Sequence, residues 1–148
     1  MADPFVAPEE TSAAEAIAMI GEELAVFDDW MERYQYIIEL GRKLPPFPDE
    51  WANDAHRVPG CQSRVWMESD LSDGTLRLAG ASDAAIVSGL IALLLRVYSG
   101  RTPQEVLQTS PVFLKDLGLL EALSTNRGNG IAAMARAVQQ AAHQAVSA

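Results

Sequence analysis

Cys61 is the residue of this chain whose type and setting best suit covalent chemistry. It is the one cysteine of the sequence, and it lies in the run RVPGCQS at residues 57–63, which is typical of a tight turn that leads into a strand. A single thiol cannot close an internal disulfide, so a function for it must come from its own reactivity or from a partner. The chemistry to consider is therefore attack by a thiolate.

The sequence around Cys61 is basic, although the chain as a whole is acidic. Residues 55–67 contain His56, Arg57 and Arg64 and no Asp or Glu, whereas the whole chain has 20 acidic against 11 basic residues and a net charge of -9. Nearby cations favour the thiolate form of a cysteine. The alternative is that Cys61 is a small buried residue at the start of a strand. The residues alone leave both interpretations open.

Histidine-assisted and metal-dependent chemistry are both disfavoured. His56 could serve as a base, but no Asn or Asp is identifiable as its orienting partner, so a solvated loop histidine is the simpler interpretation. His143, near the end of the last predicted helix, suits the helix dipole. One cysteine and two histidines cannot supply the four ligands of a zinc or iron–sulfur site without several carboxylates at a recognisable spacing, and no such cluster appears. Residues 126–130 lack the lysine and hydroxyl of a phosphate-binding loop. We therefore predict no metal site.

Length and composition predict one domain over residues 1–148, with residues 1–11 as a mobile lead-in. Apolar residues make up 49% and charged residues 21%, as in ordinary globular proteins. The negative net charge disfavours nucleic acid and membrane surfaces as partners. The N-terminus has no signal or transit pattern, and the longest apolar stretch, 84–95, is shorter than the roughly 20 residues of a membrane span. We expect a cytoplasmic protein.

Cap residues predict two helices before the cysteine. Ser12 and Glu15 have the spacing of a capping box, in which each side chain binds the other residue's backbone N–H. Asp28 can cap a second helix, which Pro45 must end because proline cannot continue the hydrogen-bond ladder. The four prolines of residues 45–60 predict irregular structure that leads up to the cysteine.

The residues after the cysteine predict a β-hairpin. Polar and apolar residues alternate over 62–68, and residues 75–80 supply a return strand in phase. The Asp73-Gly74 dipeptide between them tolerates the positive backbone angles of a tight turn. Ser82 or Asp83 then caps a helix over 84–98 whose apolar residues surround it, which is typical of a buried central helix. Further helices are predicted after Thr102, after Ser110 and over 129–146.

Several segments of the sequence resemble the SufE/CsdE family of sulfur-acceptor proteins. The run RVPGCQS is the specific part of this resemblance, because apolar helices alone would be weak evidence. The match covers roughly residues 33–138. It is carried by RYQYIIELG at 33–41, LPP at 44–46, RVPGCQSRVW at 57–66, SDAAIV at 82–87, GRTP at 100–103, and Asn126-Arg127 with Gly130.

The resemblance implies an α+β fold, with a small antiparallel sheet packed against several helices, similar to iron–sulfur scaffold proteins of the IscU type. It implies that Cys61 accepts persulfide sulfur from a pyridoxal-phosphate cysteine desulfurase and hands it to the cluster-assembly scaffold complex. The pyridoxal phosphate belongs to the desulfurase, so no cofactor is expected in this chain. The resemblance does not choose between a desulfurase of SufS type and one of CsdA type.

The resemblance also assigns roles around the thiol. Asp83 and Arg127 are predicted either to face the partner or to support the loop, and the competing interpretations are a helix cap for Asp83 and a surface salt bridge for Arg127. The residues expected to shape the loop are Arg57, Gly60, Gln62, Ser63 and Arg64.

Two other classes of function remain open from the residues. Cys61 could react with peroxide and form a sulfenic acid, as in a thiol-dependent redox enzyme or sensor, although the chain has no second cysteine to resolve it. The protein could also be a non-catalytic adaptor in which the cysteine is structural. Peroxide consumption and the rate of thiol labelling would separate these classes from a sulfur carrier.

Overall fold

The computed structural model describes residues 3–60, 63–119 and 125–147, and along 125–130 it describes the backbone only. Within these residues, strands β1 (Val65–Ser72) and β2 (Thr75–Ser82) form an antiparallel sheet. The fold is α+β, as predicted. The helices are α1 (Ala13–Ala25), α2 (Trp30–Arg42), α3 (Ala85–Tyr98), α4 (Pro103–Gln108), α5 (Phe113–Asp116) and α6 (Thr125–Ser147), with a 3₁₀ turn at Asp49–Trp51.

Side chains close the N-terminal ends of α1 and α2. Ser12 accepts a hydrogen bond from the backbone N–H of Glu15 at 3.1 Å. The Glu15 carboxylate binds the N–H and the hydroxyl of Thr11 and not the N–H of Ser12, so only half of the predicted capping box is present. The prediction for α2 was wrong by one residue. Asp29, and not Asp28, accepts the backbone N–H in the first turn, at 3.0 Å.

The hairpin of β1 and β2 turns at the predicted dipeptide. Asp73 and Gly74 have φ of 52° and 81°, the conformation that a two-residue hairpin turn requires. The predicted strand 62–68 is displaced along the chain. β1 begins at Val65 and continues to Ser72, because its pairing with β2 runs unbroken back from the turn.

Irregular segments of the chain pair with the outer edge of β2. The N–H of Val6 donates to the Leu78 carbonyl at 2.9 Å, and Leu76 exchanges hydrogen bonds with residues 100–101 at 2.7 and 2.8 Å. These contacts cover an edge that would otherwise present unpaired backbone groups. The segment that we expected to be a mobile lead-in therefore makes main-chain contacts with the sheet.

Helix α3 lies at the centre of the core, as its sequence pattern predicts. It packs against β2, α1, α2 and α6. Its N-terminus is not capped by Asp83. Ser82 does not cap it either: Ala84 is the N-cap residue, and the Ser82 hydroxyl accepts the N–H of Ala84 itself, at 3.2 Å, and not an N–H of the first turn. No helix in the described part of the chain is long and apolar enough to cross a bilayer.

On α6 the predicted inward residues are confirmed as buried, namely Ile131, Met134 and Val138.

Glycines allow α2 and α3 to cross at very short range. A Cβ added at Gly89 of α3 would lie 2.1 Å from the backbone oxygen of Ile37, and one added at Gly41 of α2 would lie 2.5 Å from the nitrogen of Gly89. Because the obstructing atoms are backbone, they cannot move aside as a flexible side chain can. By contrast, a Cβ at Gly21 of α1 would lie 3.4 Å from a methyl group of Leu117, an ordinary contact.

A buried ion-pair network joins the N-terminal segment, α1, α2 and α3. Arg96, whose side chain is 11% exposed, binds Glu10 at 2.6 Å and Glu23 at 2.7 Å. The hydrogen bond from Arg96 lowers the pKa of Glu23, and the hydroxyl of Tyr36 also donates to this carboxylate. Burial, together with the Glu23 charge, raises the pKa of Tyr36 to about 12. The network therefore favours an ionised Glu23 beside a protonated Tyr36.

Candidate functional site

The segment that precedes Cys61 pairs with the strand that follows it. The backbone N–H of Val58 donates to the Val65 carbonyl at 2.8 Å, and the N–H of Met67 donates to the His56 carbonyl at 3.0 Å. Val58 and Val65 are both buried, so the pairing is also fixed by the core. We refer to residues 56–58 and 65–67 as the loop stem and to residues 59–64 as the thiol loop.

The C-terminal end of the thiol loop is fixed to the residues that precede α3. The N–H of Arg64 donates to Asp83 Oδ1 at 3.1 Å. The Arg64 carbonyl accepts from the Ser82 hydroxyl at 2.7 Å and from the Asp83 N–H at 3.3 Å. The helix-cap interpretation of Asp83 is therefore wrong, because its carboxylate binds the backbone of the loop.

Cys61 and Gln62 lie outside the described residues, and the loop is known from its two ends. Gly60 is exposed and has φ of 84°, a conformation that favours glycine. A Cβ at Gly60 would lie 3.7 Å from that of Ala133, so this end of the loop adjoins α6. Ser63, at the other end, is partly buried. The chain thus enters the loop beside α6 and leaves it beside the start of α3.

Arg57 and Arg64 are exposed basic residues on either side of Cys61 in the sequence, and together we call them the basic surface. Both residues are exposed, and neither forms an ion pair with any side chain that the structure describes. Arg127 lies in the part of α6 of which the backbone alone is described, so its predicted role stays a prediction.

His56 is not the solvated loop residue that we expected. Its Nδ1 lies 3.0 Å from Asn53 Oδ1, and its Nε2 lies 2.7 Å from Glu68 Oε2. Its ring stacks on that of Trp51, with the two ring centroids 5.9 Å apart. Both ring nitrogens of His56 therefore face other side chains, which argues against a role for His56 as a base. The sequence analysis missed Glu68, because its contact with His56 depends on the register of the loop stem.

The described residues offer no cluster of metal-binding side chains, and the cavity that they enclose lies away from the loop stem. No group of three or more His, Cys, Asp or Glu side chains lies close enough to bind a metal within the described ranges. A cavity of about 420 Å³ lies between the N-terminal segment, α1, α2 and α3, and no stem residue lines it. Its polar side chains include Glu23, Tyr36 and Arg96, which bind one another. This cavity therefore belongs to the ion-pair network and not to the site.

Comparisons with known proteins agree with this architecture. An uncharacterised SufE-like protein of Rhizobium meliloti (strain 1021) is 37% identical over 133 residues, which are 86% of this chain and 94% of that protein. An uncharacterised SufE-like protein of Rhizobium etli is 36% identical over 133 residues, 86% of this chain and 89% of that protein. The solution structure of a hypothetical protein from Thermus thermophilus matches with a TM-score of 0.75 at 25% identity, covering 90% of this chain and 97% of that one.

The thiol loop lies inside the region that a family model matches. That model, SufE, is described as an Fe-S metabolism associated domain, and it matches residues 18–142. The match spans α2, the loop stem, the hairpin and α3, and it includes most of α6. The chain therefore belongs to the SufE family.

Proposed function

We propose that Cys61 accepts persulfide sulfur from a pyridoxal-phosphate cysteine desulfurase, that the protein stimulates this enzyme, and that it passes the sulfur on for iron–sulfur cluster assembly. Membership of the SufE family supports a sulfur-transfer role in Fe–S metabolism and an association with a cysteine desulfurase. The observation that carries the proposal is the thiol loop, in which the one cysteine of the chain lies between two backbone anchors.

The transfer step needs only one thiol on this protein. The Cys61 thiolate attacks the outer sulfur of the desulfurase's cysteine persulfide, so a sulfur–sulfur bond forms on Cys61 as the bond to the enzyme's cysteine sulfur breaks. The enzyme's cysteine leaves as a thiolate, and the proton of the outer sulfur travels with it to Cys61. No net oxidation or reduction occurs, and no cofactor of this chain is required.

The composition of the chain suits a carrier. A second cysteine beside a persulfide would attack it, release sulfide and close a disulfide, and this chain has no second cysteine. The basic surface of Arg57 and Arg64 would favour the thiolate that attacks. The same surface would attract an acidic region around the partner's active site, whether the desulfurase is of SufS or of CsdA type.

Intact-mass measurement tests the proposal directly. The protein is incubated with a cysteine desulfurase and L-cysteine, and the expected product is the chain with the mass of added sulfur. A Cys61→Ser variant is expected to gain no mass and to give no stimulation of the desulfurase. A variant that gained the same mass would refute the proposal. Rapid peroxide consumption in the absence of a desulfurase would favour the redox alternative.

The later transfer has a separate test. The persulfidated protein is purified away from the desulfurase and mixed with an iron–sulfur scaffold complex and iron. Loss of the added mass together with appearance of cluster absorbance is the expected result. Retention of the sulfur on Cys61 under these conditions would contradict the assignment of the scaffold as the acceptor.

A further inference from the structure

The loop stem ends at a side-chain contact that its backbone pairing does not require. In an antiparallel pair, every second residue of a strand directs its N–H away from the partner strand. Met67 and Ser69 are two such residues of β1, so their N–H groups point away from β2. The Met67 N–H binds the His56 carbonyl, but the Ser69 N–H binds Glu68 Oε1 at 2.8 Å. Glu68 therefore caps the edge of β1 at the point where pairing with the loop stem stops.

The second oxygen of Glu68 holds the other strand of the stem. Its Oε2 lies 2.7 Å from His56 Nε2, and the two side chains are 32% and 21% exposed. His56 is fixed on its other side by Asn53, whose Oδ1 accepts the backbone N–H of His56 and faces its Nδ1. The Glu68 carboxylate thus links Ser69, where β1 stops pairing with residues 56–58, to His56, at the start of those residues.

Aromatic residues support the His56 ring from behind. The ring lies nearly parallel to that of Trp51, with an angle of 20° between their planes. The ring centroid of Trp51 in turn lies 5.6 Å from that of Phe47 and 5.8 Å from that of Phe5 in the N-terminal segment. The imidazole therefore has one position that satisfies its hydrogen bonds and its stacking together.

We propose that His56 and Glu68 are positioning residues that lock the register of the loop stem and so determine how the thiol loop is presented to the desulfurase. This inference rests on the proposed sulfur-acceptor function. Burial of Val58 and Val65 favours this register at one end of the stem, and the contact of His56 with Glu68 holds the other end, beyond these valines. A slip would change the length of the loop and would separate His56 Nε2 from Glu68.

Matched variants separate this role from general stability. Glu68→Ala removes both contacts, whereas Glu68→Gln keeps them, because its amide oxygen can accept from Ser69 and its amide nitrogen can donate to His56 Nε2. His56→Phe keeps the stacking on Trp51 and the backbone bond to Asn53 but loses the two hydrogen bonds of the imidazole ring. Asp70→Ala is the control, because Asp70 lies two residues along the same strand and its ion pair with Arg77, at 2.8 Å, is outside the stem.

Two measurements are needed. Hydrogen exchange at the Val58 and Met67 amides is expected to accelerate about tenfold or more in Glu68→Ala and His56→Phe, and to stay near wild type in Glu68→Gln and Asp70→Ala. The maximal rate of sulfur transfer from the desulfurase is expected to fall at least about fivefold in the first two variants, with the half-saturating concentration little changed.

The two measurements test separate parts of the proposal, and each can refute its own part. Unchanged exchange in Glu68→Ala would overturn the register lock, whether or not Cys61 carries sulfur. Faster hydrogen exchange with an unchanged maximal rate of sulfur transfer would overturn the positioning role. A rise in the half-saturating concentration alone would also overturn it, because it would identify Glu68 as a residue that contacts the partner. If Cys61 accepts no sulfur in the wild type, the proposed function fails while the exchange measurement still decides the lock.

Discussion

The hydrogen bond from the Arg64 N–H to Asp83 restrains the end of the thiol loop, and its loss should make Cys61 more reactive. Asp83→Ala removes this one bond and leaves the two bonds to the Arg64 carbonyl in place. Asp83→Asn is the matched control, because its side chain keeps an oxygen that can accept the same N–H. We expect faster alkylation of Cys61 in the alanine variant if the anchored loop shields the thiol.

The size of the effect follows from the exposure of the bond. A hydrogen bond contributes about 0.5–1.5 kcal/mol net, and the exposed position of Asp83 places this one in the lower part of that range. A change of about 0.5–1 kcal/mol in the restraint corresponds to an increase of roughly two- to fivefold in the population with a free loop, since 1.4 kcal/mol is about tenfold. Asp83→Asn should change the rate by less than about twofold, because the acceptor is retained.

Iodoacetamide labelling followed by intact-mass measurement gives the rate without ambiguity, since the chain has one cysteine. Thermal unfolding of each variant serves as the check that the fold is intact. Equal labelling rates for wild type and Asp83→Ala, with equal unfolding midpoints, would refute the reasoning that this bond restrains the loop. Addition of the desulfurase should reduce the difference between the variants, because the bound partner would replace the restraint.

Three further predictions concern packing, partner binding and acid stability. Gly89→Ala should destabilise the protein by about 3 kcal/mol, lowering its unfolding midpoint by roughly 10 °C, whereas Gly21→Ala should stabilise it by up to about 1 kcal/mol. Calorimetry that showed the same sign for both would contradict the helix crossing. Arg57→Glu and Arg64→Glu should each raise the half-saturating concentration for desulfurase stimulation about tenfold at low salt, and less as salt increases. Because the pKa of Glu23 is lowered from 4.5, its stabilising contribution is present above that pH and is lost as the pH falls through the lower value. Glu23→Gln should therefore flatten the fall of unfolding free energy as the pH drops below 4.5, and an unchanged slope in denaturant titrations would count against it.

The features that the sequence predicts correctly depend on local rules. Asp73 and Gly74 specify the hairpin turn by their backbone preferences, and the apolar residues of α3 specify a buried helix wherever it packs. The features that were missed depend on contacts between distant residues. The contacts of Val6 with Leu78 and of His56 with Glu68 depend on where the edges of the sheet lie, which local sequence patterns do not specify.

The helix-cap interpretation of Asp83 fails for the same reason that these contacts were missed. A Ser-Asp pair before an apolar run is a helix-start signal, and the sequence has no local feature that would direct the carboxylate elsewhere. In the structure, the register of the hairpin brings the Arg64 N–H opposite Asp83, and this donor takes the carboxylate. The Ser82 hydroxyl is left to accept the N–H of Ala84. Candidate loop supports are therefore visible in sequence only as residue types, and their partners follow from tertiary register.

The anchors at Val58 and Arg64 bear on how tightly the protein can bind a desulfurase. Ordering the backbone costs about 1–2 kcal/mol per residue, so a long free segment would lose much of its interaction energy on docking. Anchoring at both ends restricts this cost to the few residues between them. The outermost anchor is also a weak one, because Asp83 is exposed, so a partner can displace it at little cost. A stem fixed by buried valines, with an exposed hydrogen bond that a partner can replace, therefore suits the proposed role of Cys61 as a thiol presented to a desulfurase.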